Sequence, residues 1–364
     1  MLSPLWWSLG SAMSNPSLGS SLPARLSEWL RGHGGASLVV DIEDFWYSHH
    51  PPAVGGRPVK GAIPSRPRRA ATGQGGPGVS VPRHLAAPAP IAPLGGTAIA
   101  GEGTWTAAGR LVHGVPAVYE TYVEPDAVHT SVVIGVAWMD TTLLSARLYS
   151  GSTIPGGNLW TDTAPVPPAA ATSLVAAFNS GFRMGDANGG YYSEGRTAVP
   201  LRSGAASIVI YRNGSVTVGQ WGRDVSMTAD VVSVRQNLNL LVDGGRPVPG
   251  IAYATGATWG RTLGNSIYVW RSGLGVTADG ALVYVAGPAL DVADLASVLV
   301  RAGAVRGMEL DINTDWVNMA TYAPAAGAPS SAANGTSLLP TMTGGPARYF
   351  EAWWSRDFLT MSAR

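Results

Sequence analysis

Residues 282–313 read LVYVAGPALDVADLASVLVRAGAVRGMELDIN, and the fold is decided here. An apolar run at 282–286 predicts a strand. Asp291 is placed to cap a helix, and Val292, Leu295, Val298, Leu299 and Ala302 form one apolar stripe at helical spacing. Gly303 ends that helix, and a second strand is predicted over 308–313. A strand, a helix and a strand within 32 residues predict a crossover.

Working outward, 117–123, 131–138 and 143–149 read as strands between turn signals at Glu124-Pro125-Asp126 and Met139-Asp140. Segments 207–211 and 215–219 flank Arg212-Asn213-Gly214, a hairpin signal. Strands also fit 174–178, 238–242 and 266–270. Hairpins combined with one crossover predict an α+β domain, a mixed sheet of short strands with its crossover near the C-terminal end.

Upstream the composition changes. Residues 51–100 are rich in Pro, Gly and Ala, the character of a linker or extended wrap. Their Gly-rich run at 73–78 has no strand before it and makes no phosphate loop. Within 1–50, Ser21 is placed to cap a short amphipathic helix ending near Gly32, which must dock on the main domain or on a partner. The apolar start at 1–13 reads equally as the tail of an upstream anchor or signal and as coil. The expected division is therefore a juxtamembrane-like segment 1–50, a linker 51–100 and a catalytic domain 101–364.

A formal net charge of +1 gives no electrostatic case for nucleic acid. The chain has no cysteine, which excludes thiol catalysis, disulfides and cysteine-held zinc. It has no His-Glu-x-x-His and no Gly-x-Ser-x-Gly elbow between strand and helix. Neither a metal nor a cofactor is expected.

Four polar segments remain. In Met308-Glu309-Leu310-Asp311-Ile312-Asn313, strand alternation puts Glu309, Asp311 and Asn313 on one face, with the Cα atoms of the two acids roughly 6.5–7 Å apart. That separation suits acid–base or nucleophile chemistry at a glycosyl bond; the same alternation also suits a solvated polar face. Phe178-Asn179-Ser180-Gly181-Phe182-Arg183 follows a strand, either as a cleft rim or as a hairpin turn. Leu241-Val242-Asp243-Gly244-Gly245 ends another strand, and Asp-Gly-Gly there is most often a turn. In Trp270-Arg271-Ser272-Gly273, Arg271 is placed either to clamp an anion or to pair with a carboxylate.

Taken in order, these segments resemble the phosphodiester glycosidase family over residues 115–322. The resemblance rests on Phe178-Asn179-Ser180-Gly181-Phe182, Leu241-Val242-Asp243-Gly244-Gly245, Arg271-Ser272-Gly273-Leu274-Gly275 and the helix leading into Glu309-Leu310-Asp311. It implies an α+β sheet fold and hydrolysis at an anomeric carbon by a secreted or envelope-anchored protein. Candidate catalytic residues are then Asp311 and Asp243 from the matched segments, with Glu309 added from its place on the strand alone. Candidate substrate-binding residues are Asn179, Arg271 and Ser272, with Arg183 and Asn313 beside them. Where the family has a glycine-rich turn after its Leu-Asp, this chain has Ile312-Asn313-Thr314-Asp315, which exchanges close backbone approach for side-chain hydrogen bonds. The expected partner is a sugar-1-phosphodiester or a glycan. Cleavage of ordinary wall glycosides by Glu309 and Asp311, and non-catalytic glycan binding, are the other two readings.

Overall fold

The structure, a computed structural model, describes residues 4–65, 83–94, 99–157, 160–253, 258–259 and 268–364. The chain opens with α1 (Pro4–Ser14), α2 (Leu22–Gly32) and α3 (Ala36–His49). Strands β1 (Thr106–Val112), β2 (Val115–Val123), β3 (Ile134–Met139) and β4 (Leu144–Tyr149) precede the short helix α4 (Pro168–Ala171). Then come β5 (Leu174–Asn179), β6 (Tyr191–Ser193), β7 (Arg196–Val199), β8 (Ala206–Tyr211) and β9 (Val216–Gln220). They are followed by β10 (Val231–Gln236), β11 (Leu240–Asp243), β12 (Arg246–Pro247) and β13 (Val269–Thr277). After β14 (Leu282–Leu290), α5 (Val292–Arg301) and β15 (Ala304–Glu309) the order ends with β16 (Met319–Tyr322), β17 (Gly335–Ser337) and β18 (Phe358–Ala363).

The named strands form three sheets. The largest runs β1-β2-β3-β14-β13-β15-β11-β12, and two five-stranded sheets run β7-β6-β10-β8-β9 and β17-β16-β5-β18-β4. The expected mixed pairing is corrected here, since every pair of neighbouring named strands is antiparallel. Strands β14 and β15 run parallel to each other but never touch, because both pair antiparallel with β13 between them.

Local chemistry explains α5. The Asp291 side chain accepts a hydrogen bond from the Asp294 amide at 2.7 Å, and Gly303 leaves the helix at φ 93°. Leu295, Val298 and Leu299 pack on Val242, Val283 and Val285 on one face of the large sheet. Leu282, Tyr284 and Met308 project from the other face, toward Phe178, Leu148 and Ile208 of the remaining sheets. Strand alternation thus buries both faces, and each large apolar side chain contributes roughly 1.5–3 kcal/mol. Glycine sets the helix height: a Cβ on Gly273 would sit 3.1 Å from Leu295 Cδ1, and one on Gly307 would sit 3.1 Å from Leu299 Cδ1.

Two boundaries differ from expectation. The strand predicted over 308–313 begins at Ala304 and ends at Glu309. Only one further ladder step follows, Leu310 N–H to Ser272 O and Ser272 N–H to Asp311 O, each 2.8 Å. The strand expected at 266–270 begins at Val269 and continues to Thr277, with 266–267 outside the described residues.

Ser21 caps α2 as predicted, accepting from Ala24 N, whereas the apolar start forms α1. None of these helices among the described residues is long and apolar enough to cross a membrane. The described parts of 51–100 hold no helix or strand, and the glycine-rich run at 73–78 lies outside them. They run extended over the sheets: Ile91 is buried with its N–H bonded to Gly103 O at 3.0 Å, and Leu85 N–H bonds Asp140 Oδ2 at 2.8 Å.

Candidate active site

Strand β5 ends at Asn179, deep between the sheets. Its Nδ2 donates to Ser272 Oγ at 3.0 Å, and its Oδ1 accepts from Tyr284 OH at 2.7 Å and from the Asn318 amide at 3.2 Å. All these groups are buried, so each bond answers a desolvated donor or acceptor. Ser272 passes the connection on, its Oγ accepting from the Asp311 amide at 3.1 Å. Asn179, Ser272 and Asp311, from three separate segments, are therefore one hydrogen-bonded unit.

Arg271 lies on the opposite face of its strand from Ser272, since adjacent side chains alternate, and Glu309 of the neighbouring strand meets it there. Arg271 Nη1 donates to Glu309 Oε1 at 2.6 Å, and its Nε donates to Leu290 O at 2.8 Å. Both side chains are fully enclosed. Burial pushes the Glu309 carboxyl up to about 7 against the pull of Arg271, and Asp311 adds to the rise. The role this geometry supports for Glu309 is to hold Arg271.

Asp311 lies just past the strand end. Its Oδ1 accepts from the amides of Ile312 at 2.8 Å and Asn313 at 3.1 Å, a tight turn built on the carboxylate. Burial raises its pKa to about 6, while the nearby Arg356 guanidinium and the two amides oppose the rise. Asn313 is half-buried and spends its Oδ1 on the Asp315 amide at 2.8 Å. The shared strand face expected for Glu309, Asp311 and Asn313 is thus replaced by a strand end and a turn.

Asp243 stands apart. It sits at the β11–β12 turn, half-exposed, with Arg223 Nη1 and Nη2 on its two oxygens at 2.7 and 3.0 Å. Its register partner is Arg306, three residues before Glu309 and so about 10 Å along the strand. It makes no hydrogen bond to the cluster, and its Asp-Gly-Gly is a turn.

Three residues of the site carried no motif. Arg356 lies over the Trp316 ring at 4.4 Å, next to Asp311. Asp357, on the neighbouring position, takes Arg235 Nε at 2.7 Å and the Ser180 hydroxyl. Arg235 Nη1 also donates to Gln236 O at 2.7 Å, so this buried pair braces the turn after Asn179. Arg183 reaches the same side of the site from the Asn179 loop. It faces Glu28 of α2 at 3.5 Å and Asp186 at 3.8 Å. The available signal was composition: in a chain with 13% charged residues, an Arg-Asp step behind Trp353-Trp354 is conspicuous.

No protein-family profile and no curated protein matches the chain. Among solved structures it is similar to the zebrafish N-acetylglucosamine-1-phosphodiester alpha-N-acetylglucosaminidase catalytic domain, auto-inhibited by its pro-peptide. That likeness has 14% identity and a TM-score of 0.41, over 71% of this chain and 88% of that one. A hypothetical Synechocystis protein matches at 12% identity and TM-score 0.33, over 68% and 62%. A Burkholderia pseudomallei protein thought to be exported matches at 13% and 0.35, over 64% and 74%.

Proposed function

We propose that the chain is a hydrolase that cleaves sugar-1-phosphodiesters at the anomeric carbon, with Asp311 as general base. The observation that carries this reading is the Asp311 carboxyl, buried, raised to about 6 and beside a guanidinium. A base whose pKa lies near the working pH combines a populated ionised form with useful basicity. None of its amide bonds falls on Oδ2, the oxygen assigned to the reacting water. Asp311 takes a proton from water as the oxygen attacks C1. The bond from C1 to the phosphoryl oxygen breaks, and the phosphomonoester departs with the electron pair. Such a leaving group needs positive charge nearby more than it needs a proton.

Asn179 and Ser272 are the positioning groups, fixing the backbone on which Asp311 turns. Enclosure of Glu309 behind Arg271 favours the phosphodiester over an ordinary glycoside, whose hydrolysis requires two carboxyl groups at the sugar. We assign the work to the cell envelope or beyond, a setting that accords with the absence of cysteine.

The test is incubation of the purified chain with sugar-1-phosphodiesters and, separately, wall polysaccharides in ¹⁸O-labelled water. Cleavage at C1 puts the label on the released sugar. Label on phosphate, or cleavage of polysaccharides alone, refutes the proposal.

A further inference from the structure

Glu28 projects from α2 into the site described above. Its Oε2 lies 3.5 Å from Arg183 Nη1, and its Oε1 lies 3.6 Å from Arg356 Nη2. One carboxylate therefore spans two guanidinium groups from distant parts of the sequence. Both contacts are longer than the roughly 2.7–2.9 Å of a charge-assisted hydrogen bond. Arg356 is buried, and its Nη1 has no hydrogen-bond partner among the described residues. Buried guanidinium nitrogens are normally satisfied, so this one is left for a group other than Glu28. The neighbouring carboxylate of Asp357 is already committed to Arg235 and Ser180.

The helix that delivers Glu28 is lightly held. No residue of α2 is buried, and Leu22 and Leu26 on it are exposed. Besides the Glu28 contacts, the Ser20 hydroxyl just ahead of the helix donates to Asp315 Oδ1. Trp29 and Arg31 tie α2 to Ser8 of α1 and Glu43 of α3, so these helices would leave together. The side-chain polar contacts of 20–32 to the sheet domain among the described residues are those of Glu28 and Ser20.

We propose that Arg183 and Arg356 form an anion subsite for the phosphoryl group of the substrate, and that Glu28 fills it from within the chain. This rests on the phosphodiester reading for the identity of the anion. A phosphoryl group offers more oxygens than a carboxylate, enough to engage both arginines and the unpartnered Nη1 together. Trp316 holds the Arg356 plane in place for it. Ligand and α2 then compete for the same two side chains, and the N-terminal segment sets the apparent affinity.

Inorganic phosphate is the probe, titrated calorimetrically into the full chain, into Glu28→Ala and into the double variant Glu28→Ala/Arg183→Gln. Circular dichroism confirms that each is folded. Glu28→Ala is expected to bind phosphate at least ~10-fold more tightly than the native chain, and the double variant to lose that gain. Equal binding by the native chain and Glu28→Ala, including none by either, overturns the proposal. So does tight binding that survives Arg183→Gln. The readout needs no turnover, so the two ideas fail separately. Phosphate binding as expected without diester cleavage removes the hydrolase and keeps the subsite. Cleavage with unaltered phosphate binding removes the subsite and keeps the hydrolase.

Discussion

Replacing Asp311 by Asn should make the protein more stable and inactive. The carboxyl moves from its ordinary 3.8 to about 6 on folding, because burial outweighs the opposing Arg356 charge and the two amide bonds. The folded state therefore holds this proton more tightly than the unfolded state does. Stability is lost as pH rises through the window from about 3.8 to about 6, and above it the ionised group costs about 3 kcal/mol at ~1.4 kcal/mol per pH unit. Asparagine keeps an Oδ1 for the Ile312 and Asn313 amides and carries no charge to desolvate. At about pH 8 the variant should gain about 3 kcal/mol, and at about pH 4 well under 1 kcal/mol. With a urea slope of about 3 kcal/mol/M, the midpoint moves up by about 1 M at the higher pH. Tryptophan fluorescence in urea at both pH values reads this, and hydrolysis should fall at least ~100-fold. A variant that is less stable at pH 8, or equally shifted at both pH values, refutes the claim that the fold bears a desolvation cost at Asp311.

Removing Arg271 as Arg271→Ala leaves Glu309 enclosed without its partner, and about 3–5 kcal/mol of stability should be lost in denaturant titration. Asn179→Ala strands the Asn318 amide and leaves the Tyr284 hydroxyl only its longer bond to Asn318 O at 3.3 Å, for a loss of about 1–3 kcal/mol by the same measurement. Gly307→Ala presses a methyl group against Leu299 and should cost about 1–3 kcal/mol, seen as a lowered Tm. Asp243→Asn weakens a half-exposed pair with Arg223, so stability should change by less than about 1 kcal/mol and hydrolysis not at all.

Strand β14, helix α5 and strand β15 were legible because their signals are local and agree with one another. A capping aspartate, a helical stripe and a terminal glycine each bind groups within a few residues, so no distant partner had to be known. The same holds for Ser21 and the Asn213-Gly214 turn. Strand β10 was missed for the opposite reason. Val231, Ser233, Val234, Arg235 and Gln236 are all buried, so the alternation that marks a half-solvated strand is absent. Strand β18 sits between β4 and β5, partners more than 170 residues earlier, and nothing in its own six residues announces them.

The site divides along the same line. Asn179, Arg271, Ser272, Glu309 and Asp311 were readable as strand-end polar groups, and the structure joins them in two units, Asn179 with Ser272 and the Asp311 amide, and Arg271 with Glu309. What alternation could not foretell was that the strand stops at Glu309. Asp311 then turns its carboxylate onto its own next two amides, and the two acids take different surroundings. One is sealed behind a guanidinium, and the other lies beside Arg356, which with Arg183 faces Glu28. Charge in this chain is scarce, yet a large share of it is spent inside: Arg235 with Asp357, Arg271 with Glu309, Arg356 beside Asp311. Buried charge of this kind lowers stability unless each group has its partner, and Asp311, Arg356 and Glu309 are among those whose compensation is incomplete. Compensation supplied by a substrate in place of the protein is what a phosphodiester at C1 would bring. Its phosphoryl group would satisfy Arg356, and its reacting water would satisfy Asp311.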